Sequence, residues 1–160
     1  KVFALQKLSD LERKQDNTAE DALRHIDAAI ELAESTDFLY KYILRGELWG
    51  DRWNIMHQLK MSKEAEEEVD ERIEAYKDIP VSHVSYLYYG YRFKAMLAAE
   101  RGVTLVAKDY MHMALHSMEI PPQYEAGLEK AFSATHDNAS WILNEVDRAT
   151  PNPDTVQWDI

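Results

Sequence analysis

The sequence has no cysteine, and only five glycines and five prolines occur in its 160 residues. Without cysteine the chain forms no disulfide and has no thiol chemistry, which fits a reducing compartment, so we expect a cytoplasmic protein. The scarcity of glycine and proline favours helices over a turn-rich all-β fold. No apolar run approaches the roughly 18–20 residues of a spanning helix, and no secretory signal is visible, so no membrane partner is expected.

Basic residues are also in deficit, because 18 Lys and Arg face 29 Asp and Glu and give a formal net charge of −11. Phosphate backbones and anionic lipids are bound by clustered Lys and Arg, so we expect no direct binding of nucleic acid or of a membrane surface. The length and composition predict one domain over residues 1–150 and an irregular tail over residues 151–160. The first residue is Lys1 rather than Met, from which we expect a processed or excised piece of a longer chain.

Catalytic signatures are missing: the sequence holds no phosphate-binding Gly-rich loop, no Gly-x-Ser-x-Gly and no His-Glu-x-x-His. The best metal candidate is Asp109, His112 and His116, since the two histidines are four residues apart and share a helix face. Zinc would need further ligands, and no other His is preceded at three residues by a carboxylate. We therefore predict no enzyme activity, no metal and no cofactor. A metal-dependent helical-bundle enzyme using these three residues remains the alternative.

The main pattern in the sequence is a stretch that occurs twice. Tyr42, Gly46 and Trp49 of the first copy correspond to Tyr86, Gly90 and Phe93 of the second. Later periodic segments around Ala65 and Ala107, and an earlier one around Ala22, extend the series with a period of about 42 residues. The apolar spacing predicts an all-α chain of about seven helices, namely 1–15, one opened by Thr18, 38–59, 63–78, 83–101, 104–118 and 123–149. Thr18 and Ser62 are predicted N-caps, and Gly102 is a predicted C′ residue.

These residues resemble the tetratricopeptide repeat family. In that family's second helix a small residue is followed four positions later by an apolar residue and three after that by Ala. The matching sets are Ala22, Ile26 and Ala29, then Ala107, Met111 and Ala114. Ala65 and Val69 match two of the three positions, but Arg72 stands where Ala is expected. The family's usual period is about 34 residues, so the helices must be longer here, and the resemblance covers residues 1–121.

The resemblance implies a right-handed stack of antiparallel helical hairpins, whose first helices line a concave groove that holds a peptide or a partner's helix. By the family's register the groove candidates are Tyr40, Glu47, Asp51, Tyr91 and Lys94. The resemblance thus implies a non-catalytic adaptor or scaffold that binds a protein or peptide segment, and the acidic Glu47 and Asp51 favour a basic one.

Besides the metal-dependent enzyme, three alternatives stay open. The chain is alternatively a peptide- or ligand-sensing regulatory domain excised from a bacterial-type transcriptional regulator. The acidic run within 63–78 is either a solvated face or a docking surface for a basic partner. A homodimer is the third, because the last repeat has no obvious polar capping helix, and Trp141, Ile142 and Trp158 either cover that end or meet a second copy.

Overall fold

The computed structural model describes residues 1–15, 18–36, 41–78 and 84–117. Within these ranges the chain is all-α, as the sequence predicts, with no strand. The six helices described are α1 (Val2–Glu12), α2 (Ala19–Ser35), α3 (Lys41–Gln58), α4 (Ser62–Tyr76), α5 (Val84–Glu100) and α6 (Thr104–His116). The predicted helix at 123–149, the domain boundary at 150 and the tail at 151–160 lie outside the described residues.

The helices follow the predicted period and pack mainly on their chain neighbours. The helices α2, α4 and α6 begin about 42 residues apart, and so do α3 and α5. Each helix contacts the next one along the chain, and α3 in addition packs extensively against α5. The helices α3 and α5 therefore each pack against three others, α3 against α2, α4 and α5, and α5 against α3, α4 and α6.

The core is built from the positions that the repeated sequence pattern selects. These side chains are completely buried: Ala22, Ile26, Ala29, Ala65, Val69, Ala107, Met111 and Ala114. Trp53 of α3 is also fully buried and packs with residues of α4 and α5. Its ring centroid lies 6.2 Å from that of Phe93. The alanines of each pattern let neighbouring helices approach, and the larger residues fill the space between them.

Glycines in α3 and α5 mark close contacts with neighbouring helices. A Cβ added at Gly50 would lie 2.8 Å from Cδ1 of Tyr89 on α5, which is closer than side chains pack. A Cβ at Gly90 would lie 3.2 Å from Cγ1 of Ile73 on α4. The cost of a glycine inside a helix is therefore offset by contact with the neighbouring helix.

The end of α5 confirms the predicted role of Gly102, which has φ +76. The N–H of Val103 donates to the Ala98 carbonyl at 2.9 Å, and the N–H of Gly102 donates to the Ala99 carbonyl at 3.0 Å. This pair of bonds is the Schellman motif. The end of α3 has the same bond pattern, but its left-handed residue is Lys60, with φ 65.

Of the two predicted N-caps, Thr18 stands at the N-cap position of α2, but its side chain makes no capping hydrogen bond. Its hydroxyl instead donates to the carbonyls of Glu12 and Gln15, which closes the turn after α1. Ser62 is the first residue of α4 rather than its N-cap, and its hydroxyl is hydrogen-bonded to Nδ1 of His57 at 2.7 Å.

Candidate binding surface

The side chain of Gln6 joins α1 to two carboxylates on α3. Its amide Nε2 donates to Oε1 of Glu47 at 3.0 Å and to Oδ2 of Asp51 at 3.1 Å. Gln6 is only 3% exposed, whereas the two carboxylates are half-buried and one helical turn apart. The structure therefore brings together the predicted groove residues Glu47 and Asp51 and adds Gln6, which the sequence analysis missed.

Neither carboxylate of this pair has a cationic partner among the residues that the structure describes. No Lys, Arg or His nitrogen of that part of the chain lies within 4.0 Å of Glu47 or Asp51. Burial raises the pKa of Asp51 to about 6, and the Asp10 and Glu47 charges add to the rise. The hydrogen bond from Gln6 and the charge of Arg13 lower this pKa, but Arg13 is itself paired with Asp10 at 3.4 Å.

Tyr89 of α5 packs on α3 at the residue before Asp51. Its half-buried ring rests on Gly50. Burial raises the pKa of Tyr89, and the charges of Glu47 and Asp51 raise it further. Three helices thus contribute to one surface, which we call the acidic face and define as Gln6, Asp10, Glu47, Asp51 and Tyr89.

The other two described groove candidates lie elsewhere. Tyr91 stacks on Tyr110 of α6 with ring centroids 6.4 Å apart. Lys94 forms an ion pair with Asp70 of α4, and its Nζ lies 5.1 Å from the centre of the Tyr110 ring. Among the described residues no hydrogen bond, ion pair or ring contact joins this group to Glu47 or Asp51. Tyr40, the fifth candidate, lies outside the described residues.

The alternative metal ligands do not form a cluster in the structure. Asp109, His112 and His116 are all exposed on α6. Throughout the described ranges, no group of three His, Asp or Glu side chains is placed to hold a metal ion.

Some carboxylates of the acidic run of α4 form ion pairs with residues outside this helix, and others are exposed to solvent. Glu66 pairs with Arg101 at 2.7 Å, Glu68 pairs with Arg52, and Asp70 pairs with Lys94. These ion pairs tie α4 to α3 and α5. Four further carboxylates of the run are exposed, namely Glu64, Glu67, Glu71 and Glu74. The run therefore combines helix-to-helix ion pairs with a solvated face.

A surface cavity of about 590 Å³ lies where the start of α2 meets the turn between α3 and α4. It is lined by Glu20, Leu23, Arg24, Leu59 and Met61. The cavity shares no residue with the acidic face. Its single carboxylate and single guanidinium, beside three apolar side chains, do not single out a class of ligand.

Comparison of the chain with protein-family models, with curated proteins and with solved structures gave no match. None of the six described helices has the length and apolar character needed to cross a membrane.

Proposed function

We propose that this chain is a non-catalytic binding domain whose acidic face takes a basic segment of a protein or peptide. The observation that carries the proposal is the half-buried pair Glu47 and Asp51, whose described hydrogen-bond donor is the neutral amide of Gln6. Carboxylates that are withdrawn from water are ordinarily paired with a cation, because an uncompensated buried charge is costly. A Lys or Arg side chain of a partner would supply that missing charge.

A ligand cation would bind the carboxylates of Glu47 and Asp51 more strongly than the neutral amide of Gln6 does. Hydrogen bonds between a cation and a carboxylate are shorter and about twice as strong as neutral ones. Tyr89 would add contact area and a hydroxyl at the edge of the same surface. Because the carboxylates stand on packed helices, they need little ordering when the ligand binds.

The same proposal includes a stack of helical hairpins that resembles tetratricopeptide repeats. It is supported by the period of about 42 residues and by the packing of α3 on α5, the first helices of successive units. In such a stack the first helices share one side. Gln6, Glu47 and Tyr89, which belong to α1, α3 and α5, would then line the binding side together.

The test is a fluorescence anisotropy titration with a labelled lysine-rich peptide and a glutamate-rich peptide of equal length. We expect binding of the first and not of the second. The double variant Glu47→Gln with Asp51→Asn should weaken binding at least about tenfold, which is about 1.4 kcal/mol. Its matched control is Glu64→Gln with Glu71→Gln, which removes the same two charges from the exposed side of α4.

The control distinguishes binding at the acidic face from general electrostatic attraction of a basic peptide. A protein with a formal net charge of −11 attracts any polycation at low salt. If both double variants lose the same affinity, the binding is non-specific and the proposed function is rejected. If only the Glu47 and Asp51 variant loses it, the acidic face is the site.

A further inference from the structure

Arg72 occupies a place in the sequence pattern where the other two helices have alanine. Its counterparts Ala29 in α2 and Ala114 in α6 are completely buried. Arg72 is half-buried on α4 instead. Its guanidinium carbon lies 3.4 Å from the centre of the Trp49 ring on α3 and 5.4 Å from the centre of the Tyr86 ring on α5. A cation has thus been placed against two aromatic rings at a core position of the pattern.

The guanidinium has no acceptor among the described residues. Arg52, which also lies near the Trp49 ring at 5.4 Å, bonds to Asp27 and Glu68. Arg72 forms no hydrogen bond or ion pair of that kind with any residue that the structure describes. Ring contact compensates part of the charge of Arg72 but leaves the N–H donors at the edge of the guanidinium unused. The indole Nε1–H of Trp49 is likewise buried without an acceptor in this part of the chain.

A carboxylate whose charge, like that of Arg72, acts on the Tyr86 hydroxyl already has partners. Glu34 of α2 accepts a hydrogen bond from the Tyr86 hydroxyl at 2.8 Å and lies 3.6 Å from Nε of Arg45. The charges of Glu34 and Arg72 both act on the Tyr86 hydroxyl, with opposite effects on its pKa. In the described part of the chain Glu34 is therefore bonded to Tyr86 and close to Arg45, and it is not bonded to Arg72.

We propose that Arg72, held against Trp49 and Tyr86, is a binding site for a carboxylate group of a peptide ligand. A planar carboxylate matches the donors at the guanidinium edge and can accept two parallel hydrogen bonds. Ring contact at the face of the guanidinium directs the ligand to that edge. The site is separate from the acidic face, because Trp49 projects from the opposite side of α3 to Glu47 and Asp51.

The first experiment is an NMR titration of the Arg Nε–H and Trp indole signals with sodium acetate, inorganic phosphate and sodium chloride. Acetate should shift the Arg72 and Trp49 signals saturably, and chloride should not shift them. The Arg72→Ala variant should keep its fold, because alanine occupies the equivalent positions in α2 and α6, and should lose the acetate-dependent shift of Trp49. The Arg24→Ala control removes an exposed guanidinium that pairs with Asp21 and should leave the acetate affinity unchanged.

Arg72→Lys should bind acetate at least about tenfold more weakly, since an ammonium lacks the planar fork. Three acetylated alanine peptides then identify the source of the carboxylate: one with a free C-terminus, one amidated, and one amidated with a single glutamate. Binding of the first or the third, beyond that of the second, supports the site and distinguishes a chain terminus from a side chain. The proposal is overturned by an unsaturable shift, by an unchanged shift in Arg72→Ala, by tighter binding of phosphate than acetate, or by equal behaviour of the three peptides.

Discussion

The ring of Tyr89 on α5 lies directly against Gly50 on α3, so that a methyl group at position 50 would be 2.8 Å from Cδ1 and 3.1 Å from Cγ of the ring. The contact places a tyrosine beside the carboxylates that flank Gly50 along α3. It therefore links the packing of two helices to the shape of the acidic face.

Replacing this glycine tests the contact. Gly50→Ala should gain about 1 kcal/mol of helix propensity, but overpacking against Tyr89 typically costs about 1–3 kcal/mol. We expect a net loss of about 1 kcal/mol in the free energy of unfolding, measured by urea denaturation. In a double-mutant cycle with Tyr89→Ala, the alanine at position 50 should cost less or become stabilising. A Gly50→Ala protein that is more stable than the wild type would show that the ring is not confined there.

The raised pKa of Asp51 predicts a pH-dependent gain from Asp51→Asn. The folded protein holds the Asp51 proton up to about pH 6, against an ordinary value of 3.8. This contribution to stability is complete below the unfolded pKa and is lost as the pH rises through 6. At pH 7, Asp51→Asn should therefore raise the free energy of unfolding by about 1–3 kcal/mol, since one pKa unit corresponds to about 1.4 kcal/mol and partial exposure reduces the effect.

The same comparison at pH 4 supplies the internal check. There Asp51 is mostly protonated in the folded protein, so the advantage of the asparagine should nearly vanish. Asp109→Asn is the control, because Asp109 is exposed, and it should change stability by less than about 0.5 kcal/mol. A gain from Asp51→Asn that is equal at both pH values would contradict a raised pKa.

Removal of the Gln6 amide should raise the pKa of the Asp51 carboxyl group. Its hydrogen bond holds the pKa of Asp51 lower than burial alone would. In Gln6→Leu the pKa of Asp51 should rise above 6, as followed by carboxyl ¹³C NMR over a pH titration. The control Gln58→Leu changes an exposed glutamine at the end of α3 and should leave this pKa in place. A fall in the pKa of Asp51 in the Gln6 variant would argue against the hydrogen bond.

The backbone conformation of Lys60 lowers the stability of the protein, and a substitution there leaves the acidic face unchanged. It adopts φ 65 in the turn after α3, a conformation that strains side chains with a Cβ but suits glycine. The equivalent residue after α5 is Gly102. Lys60→Gly should raise the free energy of unfolding by about 0.5–1 kcal/mol, measured by urea denaturation, whereas Gly102→Ala should lower it. A loss of stability in Lys60→Gly would mean that the lysine side chain makes contacts that outweigh the strain.

Local periodicity accounts for what could be predicted from the sequence. The spacing of Ala65 and Val69 identified a buried face because burial along a helix repeats with the helical turn. The same pattern isolated Arg72 as the residue that departs from it, although its contact with Trp49 requires the packing of two helices. The fold class and the helix positions follow from such short-range regularities.

The acidic face could be predicted only in part. Glu47 and Asp51 are visible as an acidic pair one turn apart, but Gln6 reaches them across 41 and 45 residues of chain, and no local pattern records that contact. Tyr91 was expected on the groove side of α5, whereas Tyr89 is the α5 residue that packs on Gly50, next to Asp51. The two positions differ by two residues, which on a helix is more than half a turn, so the packing of α5 decides between them.

The most direct measurement of the proposed function is the pKa of Asp51, read by carboxyl ¹³C NMR with and without a saturating lysine-rich peptide. A ligand cation on the acidic face favours the ionised carboxylate, so the pKa should fall from about 6 by about 1–2 units. A peptide that saturates the protein while the pKa of Asp51 stays in place would contradict the proposal, because the peptide would then be bound elsewhere.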